Sequence, residues 1–343
     1  SYGTLGNQMV DDYYPYISTM GTGTSRYIMD TGSIPYVSPP GLVSPLLSWE
    51  KVESRNVGLD VTLFNQRLDI SVDAYTRDTK DMLMQVEYPD ILGTSAPREN
   101  AADLRTKGWE SSVTWQDKIG RDWKYAITLA LSDNQSEITK YENPSGALSE
   151  YYVGKKIGEI WGYVTEGIFQ TDEEATSAPN QSQLGSNWRA GDIHYADLNG
   201  DKKVTAGSNT LSDPGDRKVI GNSTPRYSFG INPDVKYRNW SLNLFFQGLF
   251  RDFLPSSDGW NGFFPYNSQY IDKYFLTESW SEDNRDAYFS APALSYNDPK
   301  NIQPQSRYVQ NAAYIRLKNL SLSYNLPHEW SGKIGLTKAQ VYF

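Results

Sequence analysis

Apolar and polar residues alternate one by one along much of the chain, which predicts β-strands with two unlike faces. Within residues 57–63 and 68–74, every second position is Val, Leu, Ile or Ala. A two-residue turn at Asn65-Gln66 pairs Leu63 with Leu68 and brings both apolar sets to one face, as hairpin register demands. We therefore predict an antiparallel hairpin in this segment.

A second hairpin is predicted around a seven-residue turn at residues 116–122. The alternating positions before this turn include Trp115, and those after it begin at Trp123. Pairing these two residues puts Val113 opposite Tyr125 on the same face, so the parity rule is again satisfied.

A third hairpin is predicted around Arg238-Asn239. Its expected pairs are Val235 with Leu242 and Ile231 with Phe246. Pro233 interrupts the first of these strands, and because proline has no N–H to donate, we expect a β-bulge there.

One polar and one apolar face fit two architectures, a soluble β-sandwich and an outer-membrane β-barrel. The connections inside the three hairpins are short, whereas those near residues 77–108, 134–223 and 250–306 are long. Short turns at one end and long loops at the other are typical of the barrel, in which the long loops are extracellular. Aromatic residues also gather beside the short turns, where a barrel carries its interfacial girdle; they are Phe64, Trp115, Trp123, Tyr237 and Trp240. The sequence therefore predicts an all-β, antiparallel transmembrane barrel, with a secreted β-sandwich that binds glycans as the alternative.

The amino-acid composition excludes several kinds of binding site and partner. The 343 residues contain no cysteine and two histidines, which excludes disulfides and cysteine-ligated metal sites. The net charge of −9, with acidic and basic residues interspersed, argues against nucleic acid as a partner. Aromatic residues make up 14%, and the mean hydropathy of −0.60 averages lipid-facing and water-facing positions. No paired-carboxylate site, nucleophile motif or zinc spacing is present, so we expect no enzyme activity.

Several long motifs resemble those of SusC/RagA-type TonB-dependent transporters, and they occur in the order typical of that family. They are SYGTLGNQ (Ser1–Gln8), the segment Ser48–Leu83, VGKKIGEIWGYVTEGIFQT (Val153–Thr171), GDIHYADLNGDKKVT (Gly191–Thr205), DRKVIGNSTPRYSFGIN (Asp216–Asn232) and SRYVQNAAYIRLKNLSLSYNLP (Ser306–Pro327). The resemblance covers nearly the whole chain.

This resemblance implies a 22-stranded barrel in the outer membrane of Bacteroidetes-type bacteria, plugged by an N-terminal domain. Such transporters import glycans, or in some cases peptides, with a SusD-like surface lipoprotein as a lid and with energy passed on by the TonB complex. Outer-membrane lipid would surround the barrel. Residues 1–343 would supply about ten strands of its C-terminal part. The plug, the TonB box and the last strand would lie outside this sequence, which stops at Val341-Tyr342-Phe343 within a predicted strand.

An acidic turn is a candidate metal site. Asp197, Asn199 and Asp201 place oxygen-bearing side chains at alternate positions, as in an EF-hand loop, and Lys203 could add its backbone carbonyl. The match then fails, because Lys202 replaces the usual Gly, while Asp216 is the nearest counterpart of the closing acid. We expect either a Ca²⁺ site or an acidic turn that is satisfied by water and its own backbone.

Aromatic residues in the long connections are candidates for contact with a substrate or a partner, because exposed rings stack on sugars and anchor proteins. The alternative is that they pack the loops into stable caps. The candidates are Trp161, Tyr163, Trp260, Tyr266 and Tyr270.

Overall fold

The computed structural model describes residues 1–7, 17–29, 32–44, 47–85, 97–255, 273–292 and 299–343. The predicted antiparallel all-β fold is confirmed. Within these ranges nine strands, in keeping with the expectation of about ten, form a single sheet in which every neighbouring pair runs antiparallel. Among the described residues, no helix has the length and apolar character needed to cross a membrane.

The strands are, in chain order, β1 (Tyr2–Asn7), β2 (Thr22–Met29), β3 (Gly32–Val37), β4 (Glu50–Leu63), β5 (Leu68–Gln85), β6 (Arg98–Ile119), β7 (Trp123–Tyr141), β8 (Glu159–Tyr163), β9 (Thr165–Ile168), β10 (Ile193–Tyr195), β11 (Arg217–Asn222), β12 (Arg226–Tyr237), β13 (Trp240–Phe250), β14 (Asp252–Phe253), β15 (Gln310–Asn311), β16 (Tyr314–Asn325) and β17 (Gln340–Tyr342). The sheet has the order β1-β4-β5-β6-β7-β12-β13-β16-β17. Short helices are α1 (Asp172–Ser177), α2 (Phe275–Glu278) and α3 (His328–Ser331), with 3₁₀ turns at Pro299–Asn301, Ser306–Tyr308 and Gly332–Ile334.

The first hairpin has the predicted register, with Leu63 opposite Leu68. Its turn is wider than predicted. Phe64, Asn65 and Gln66 all have positive φ, and the N–H of Arg67 donates to the carbonyl of Leu63 at 3.2 Å. Three successive left-handed residues reverse the chain, so the turn does not depend on a single permissive residue.

The register of the second hairpin differs from the predicted one. Ile119 pairs with Trp123 across a three-residue turn, and Trp115 lies opposite Ile127 rather than Trp123. Gly120 supplies the left-handed conformation at φ +64° that makes this tighter turn accessible. The four-residue shift is even, so the same side chains still share a face.

The third hairpin has the predicted pairs and a two-residue turn between Tyr237 and Trp240. The bulge expected at Pro233 is absent. The register with β7 runs unbroken through Pro233, which lies opposite Ile127, and the irregularity on the β13 side falls between Arg226 and Phe229. Pro233 has no N–H, so the ladder loses one hydrogen bond there, but no extra residue is accommodated and no bulge forms.

The two faces of the sheet differ as the alternation predicts. One face carries apolar side chains that remain accessible, including Val57 at 79% and Leu59 at 63%. At the short turns, the Trp123 and Tyr237 rings lie 4.5 Å apart and form part of an aromatic edge. An exposed apolar face with aromatic ends suits contact with lipid rather than a sandwich core.

The hydrophobic core lies in the long connections and not in the sheet. Of the buried apolar residues in the described ranges, only Ala102 and Ile138 belong to the nine strands. The remainder lie in residues 142–222, 273–292 and 299–309, which we call the loop body. The pairs β8–β11 and β9–β10 form two small antiparallel sheets within it.

Candidate functional site

The polar face of the sheet forms a groove with a volume of 370 Å³. Its lining includes Asp73 and Glu110, which lie opposite each other in neighbouring strands. Serine hydroxyls line it as well, from Ser71, Ser112, Ser132 and Ser228, together with the apolar side chains of Leu131, Phe229 and Phe245. Carboxylates and hydroxyls bind polyols and amides through hydrogen bonds, so this surface has the chemistry of a path for a polar solute.

The loop body sits at the end of the sheet with the long connections, and an ion pair joins its segments. The Nζ of Lys300 lies 2.7 Å from Oδ2 of Asp192, and their side chains are only 10% and 4% exposed. Asn301 donates from Nδ2 to Oδ1 of the same carboxylate at 2.8 Å. Lys300 also donates to the carbonyls of Ser186 and Asn187. The ion pair is thus fully hydrogen-bonded, as a buried pair must be to persist.

Buried amides and tyrosines extend this network. Gln305, which is fully buried, donates to Tyr195 Oη at 3.0 Å, and Tyr195 Oη donates to the carbonyl of Lys300 at 2.7 Å. Gln181 donates to the Ile193 carbonyl and accepts from the Tyr195 N–H. The sequence does not predict this network, because the hydrogen-bond partners lie up to 110 positions apart along the chain. No local pattern of residues indicates such pairs.

The two candidate aromatic residues that the structure describes lie in β8, not in irregular loop. The Trp161 indole donates to Tyr152 Oη at 3.1 Å, and that hydroxyl donates to Glu159 at 2.7 Å. Burial, and then the Glu159 carboxylate, raise the pKa of Tyr152 to about 12. Trp161 is half-buried and keeps part of its ring accessible.

Tyr163 is only 3% exposed, and its ring packs 5.4 Å from that of Tyr195 in the hydrophobic core. Tyr163 therefore follows the second alternative, in which the aromatic residue packs the long connections together. Trp260, Tyr266 and Tyr270 lie outside the described residues.

The acidic turn is organised by its own backbone. Asp197 accepts from the N–H groups of Gly200 and Lys202, at 2.7 and 2.8 Å. Asn199 accepts from the N–H of Asp201, and Asp201 accepts from that of Lys203. Each oxygen that accepts one N–H retains a second lone pair.

Asp216 is fully buried behind the turn, where it accepts from the N–H groups of Leu198 and Thr205 at 2.8 and 2.7 Å. It therefore fixes the base of the turn. In the described ranges, no group of three or more His, Cys, Asp or Glu side chains is arranged to hold a metal ion. Asp213 nearby accepts from the hydroxyl and N–H of Ser208, and these bonds lower its pKa.

Comparison with known proteins gives consistent matches over the whole chain. The family model described as "TonB dependent receptor-like, beta-barrel" matches residues 1–342. TonB-dependent receptor P3 of Formosa agariphila is 29% identical over 362 residues, which cover 100% of this chain and 33% of that protein. TonB-dependent receptor SusC of Bacteroides thetaiotaomicron is 23% identical over 337 residues, which cover 96% of this chain and 31% of that protein.

Solved structures agree with the fold. The structure of the RagAB peptide transporter superposes with a TM-score of 0.72 at 24% identity, over 99% of this chain and 35% of that chain. The RagAB peptide importer in its open-open state gives a TM-score of 0.70 at 25% identity, with the same coverage. The chain spans about a third of the length of the relatives that it matches.

Proposed function

Because this chain belongs to the TonB dependent receptor-like β-barrel family, we propose that it is the C-terminal barrel part of a SusC-like importer in the bacterial outer membrane. The observation that carries the proposal is the pairing of two unlike faces in one sheet. Val57 and Leu59 expose an apolar surface to lipid, and the groove around Asp73 and Glu110 offers carboxylates and hydroxyls on the other face.

The proposed cargo is an oligosaccharide or a peptide. Both present hydroxyl, amide or amine groups that hydrogen-bond to the polar face. The structurally similar RagAB is a peptide transporter, and the sequence resemblance to SusC-type proteins favours glycans. A TonB-energised step would act through parts of the protein beyond this chain. No step of the proposed role is chemical catalysis.

A SusD-like lipoprotein is the proposed partner, and the loop body is its proposed docking surface. The loop body has a hydrophobic core of its own, and close packing of such a core holds surface side chains in defined positions. Its surface includes Tyr274 at 52% exposure and Leu276 at 80%, together with the half-buried Trp161. Tyrosine and tryptophan are enriched at protein interfaces.

We also propose that the acidic turn binds Ca²⁺ through side-chain oxygens of Asp197, Asn199 and Asp201. Their remaining lone pairs support this proposal, while the backbone bonds already stabilise the turn without an ion. Lys203 and Asp216 would act through a carbonyl and by holding the base of the turn.

Gene deletion and complementation in the source bacterium test the transport role. We expect the full-length protein in the outer-membrane fraction, with migration on a denaturing gel that changes on heating. Deletion should abolish accumulation of either fluorescent oligosaccharides or fluorescent peptides, and the arm that responds identifies the cargo. A protein in the soluble fraction, or unchanged accumulation of both ligands, would contradict the proposal.

A further inference from the structure

The apolar face of the sheet ends at a row of basic residues on the side of the long connections. Arg55 lies two residues before Val57 on the same face of β4, and Lys107 lies two residues before Trp109 on that face of β6. Thr76 lies between them in β5, opposite both residues. Arg55 and Lys107 are therefore about 10 Å apart, or two strand spacings.

Three more cations continue this surface toward the long connections, and we call all five the cation belt: Lys51, Arg55, Lys80, Arg105 and Lys107. The carboxylates among them are covered by their partners. Glu53 is bridged by Lys51 at 2.8 Å and by Lys80 at 3.2 Å, and Asp78 is bridged by Arg105 at 2.6 Å.

The basic side chains of the belt are more exposed than the acidic ones, so the belt presents positive charge to its surroundings. The side chains of Glu53 and Asp78 are 8% and 9% exposed, whereas those of their basic partners are 43% to 53% exposed. Glu137, opposite Arg105, is a further exposed carboxylate, and Asp81 beside the belt is paired with Lys140 at 3.9 Å. Five cations thus outnumber three carboxylates on a chain whose net charge is −9.

Arg55 and Lys107 are the exposed cations of the belt that have no hydrogen-bond or ion-pair partner within the described ranges. Their strands are about 10 Å apart, and two long side chains can span that gap to reach a single anion, which both charges attract. Arginine and lysine both bind phosphate, arginine in a bidentate manner.

The height of the belt on the sheet identifies the anion. At about 3.3 Å per residue, Arg55 lies about 26 Å along β4 from Leu63 at the short turn, or about 20 Å after a tilt of about 40°. The apolar band of an outer-membrane barrel is about 25 Å tall. Arg55 thus lies about 5 Å below the outer edge of this band, a distance that its long side chain spans to reach the headgroups. Val57 and Leu59 lie deeper, along the path of the acyl chains.

We infer that the cation belt is a binding site for phosphate-bearing lipid headgroups of the outer leaflet, with Arg55 and Lys107 as its principal phosphate ligands. This inference rests on the proposed function, because it requires the long connections to face outward. The lipid would fix the depth of the barrel in the membrane and keep the extracellular ends of β4–β7 at the level of the membrane surface.

The test is lipid binding by the full-length transporter in detergent, measured by native mass spectrometry with phosphatidylglycerol as probe and phosphatidylcholine as the zwitterionic comparison. Arg55→Gln/Lys107→Gln should weaken phosphatidylglycerol binding about 30-fold, which is roughly fivefold per cation. Lys118→Gln/Lys124→Gln is the matched control, because it removes the same charge from the short-turn end of β6 and β7. The control should retain binding, as should the charge-preserving Arg55→Lys/Lys107→Arg variant.

Equal binding of phosphatidylglycerol by the wild type and the Arg55→Gln/Lys107→Gln variant would overturn the inference. Displacement of the lipid by millimolar inorganic phosphate would show a site for free anions and would also overturn it. Lipid binding without cargo uptake would reject the proposed transport role alone.

Discussion

At the scale of single residues, the polar groups buried in the loop body matter most for its stability. The Lys300–Asp192 pair connects a segment before β10 to the 3₁₀ turn at Pro299–Asn301, and Asn301 completes the shell of the carboxylate. Removing one member leaves the other charged group buried without its partner. That loss is far more costly than the loss of an exposed ion pair.

Lys300→Met should therefore destabilise the loop body by about 3 kcal/mol. The expected result in the full-length protein is faster hydrogen exchange of backbone amides in residues 181–196 and 299–309, with the strands β4–β7 unchanged. Lys273→Met, at an exposed lysine of the same body, serves as control and should leave exchange unaltered. Equal exchange in both variants would show that the ion pair does not hold the segments together.

The acidic turn makes a prediction at the same scale. If Ca²⁺ binds, purified protein dialysed against micromolar calcium should contain one additional ion per chain compared with the Asp197→Ala/Asp201→Ala variant, because two of the three ligand side chains are removed. Elemental analysis measures this difference. Identical calcium contents would leave the turn as a structure held only by its backbone N–H bonds.

At the scale of elements, the alternation of apolar and polar residues predicts those features that depend on neighbouring residues, such as the register of a hairpin. The registers at Leu63–Leu68 and Tyr237–Trp240 follow from alternation and turn length, and both are confirmed. The predicted pairing of the middle hairpin is wrong by four residues because alternation constrains only parity, and Gly120 permits a tighter turn than the polar residues around it indicate. The loop body escapes prediction because its core joins residues more than 100 positions apart.

The loop body should respond to alkaline pH as a unit. Burial is the first cause that raises the pKa of five tyrosines in it: Tyr152, Tyr163, Tyr195, Tyr288 and Tyr308. An unfolded chain loses these protons near pH 10, whereas the folded body retains them, so unfolding releases protons above that pH. Stability should therefore be full below pH 10 and should fall as the pH rises toward 12.

Tyrosinate absorbance and tryptophan fluorescence, followed together from pH 8 to 12.5, measure this response. We expect these five rings to ionise late and in step with a change in tryptophan fluorescence, to which Trp188 contributes because its indole lies 6.2 Å from the Tyr195 ring. The Tyr152→Phe variant should show a smaller pH dependence, because one of the coupled ionisations is gone. Ionisation of every tyrosine near pH 10 with unchanged fluorescence would contradict this packing of the loop body.

At the scale of the whole molecule, the sheet is open. β1 and β17 each pair with a single neighbour in the nine-stranded order, and the chain spans about a third of its relatives. Its apolar face has no protein cover within the described ranges, as the proposed contact with lipid requires. The mean hydropathy of −0.60 averages the hydropathies of the apolar face, the polar face and the loop body.

Accessibility along β4 tests this central claim most directly. Because this chain contains no cysteine, single cysteines at Leu59, Asp60, Val61 and Thr62 can be spin-labelled in a full-length protein whose other cysteines, where present, are replaced by serine. In lipid bilayers, labels at Leu59 and Val61 should collide mainly with oxygen dissolved in lipid, and those at Asp60 and Thr62 mainly with a water-soluble nickel complex. Four positions with the same accessibility, or the opposite alternation, would contradict a lipid-facing sheet.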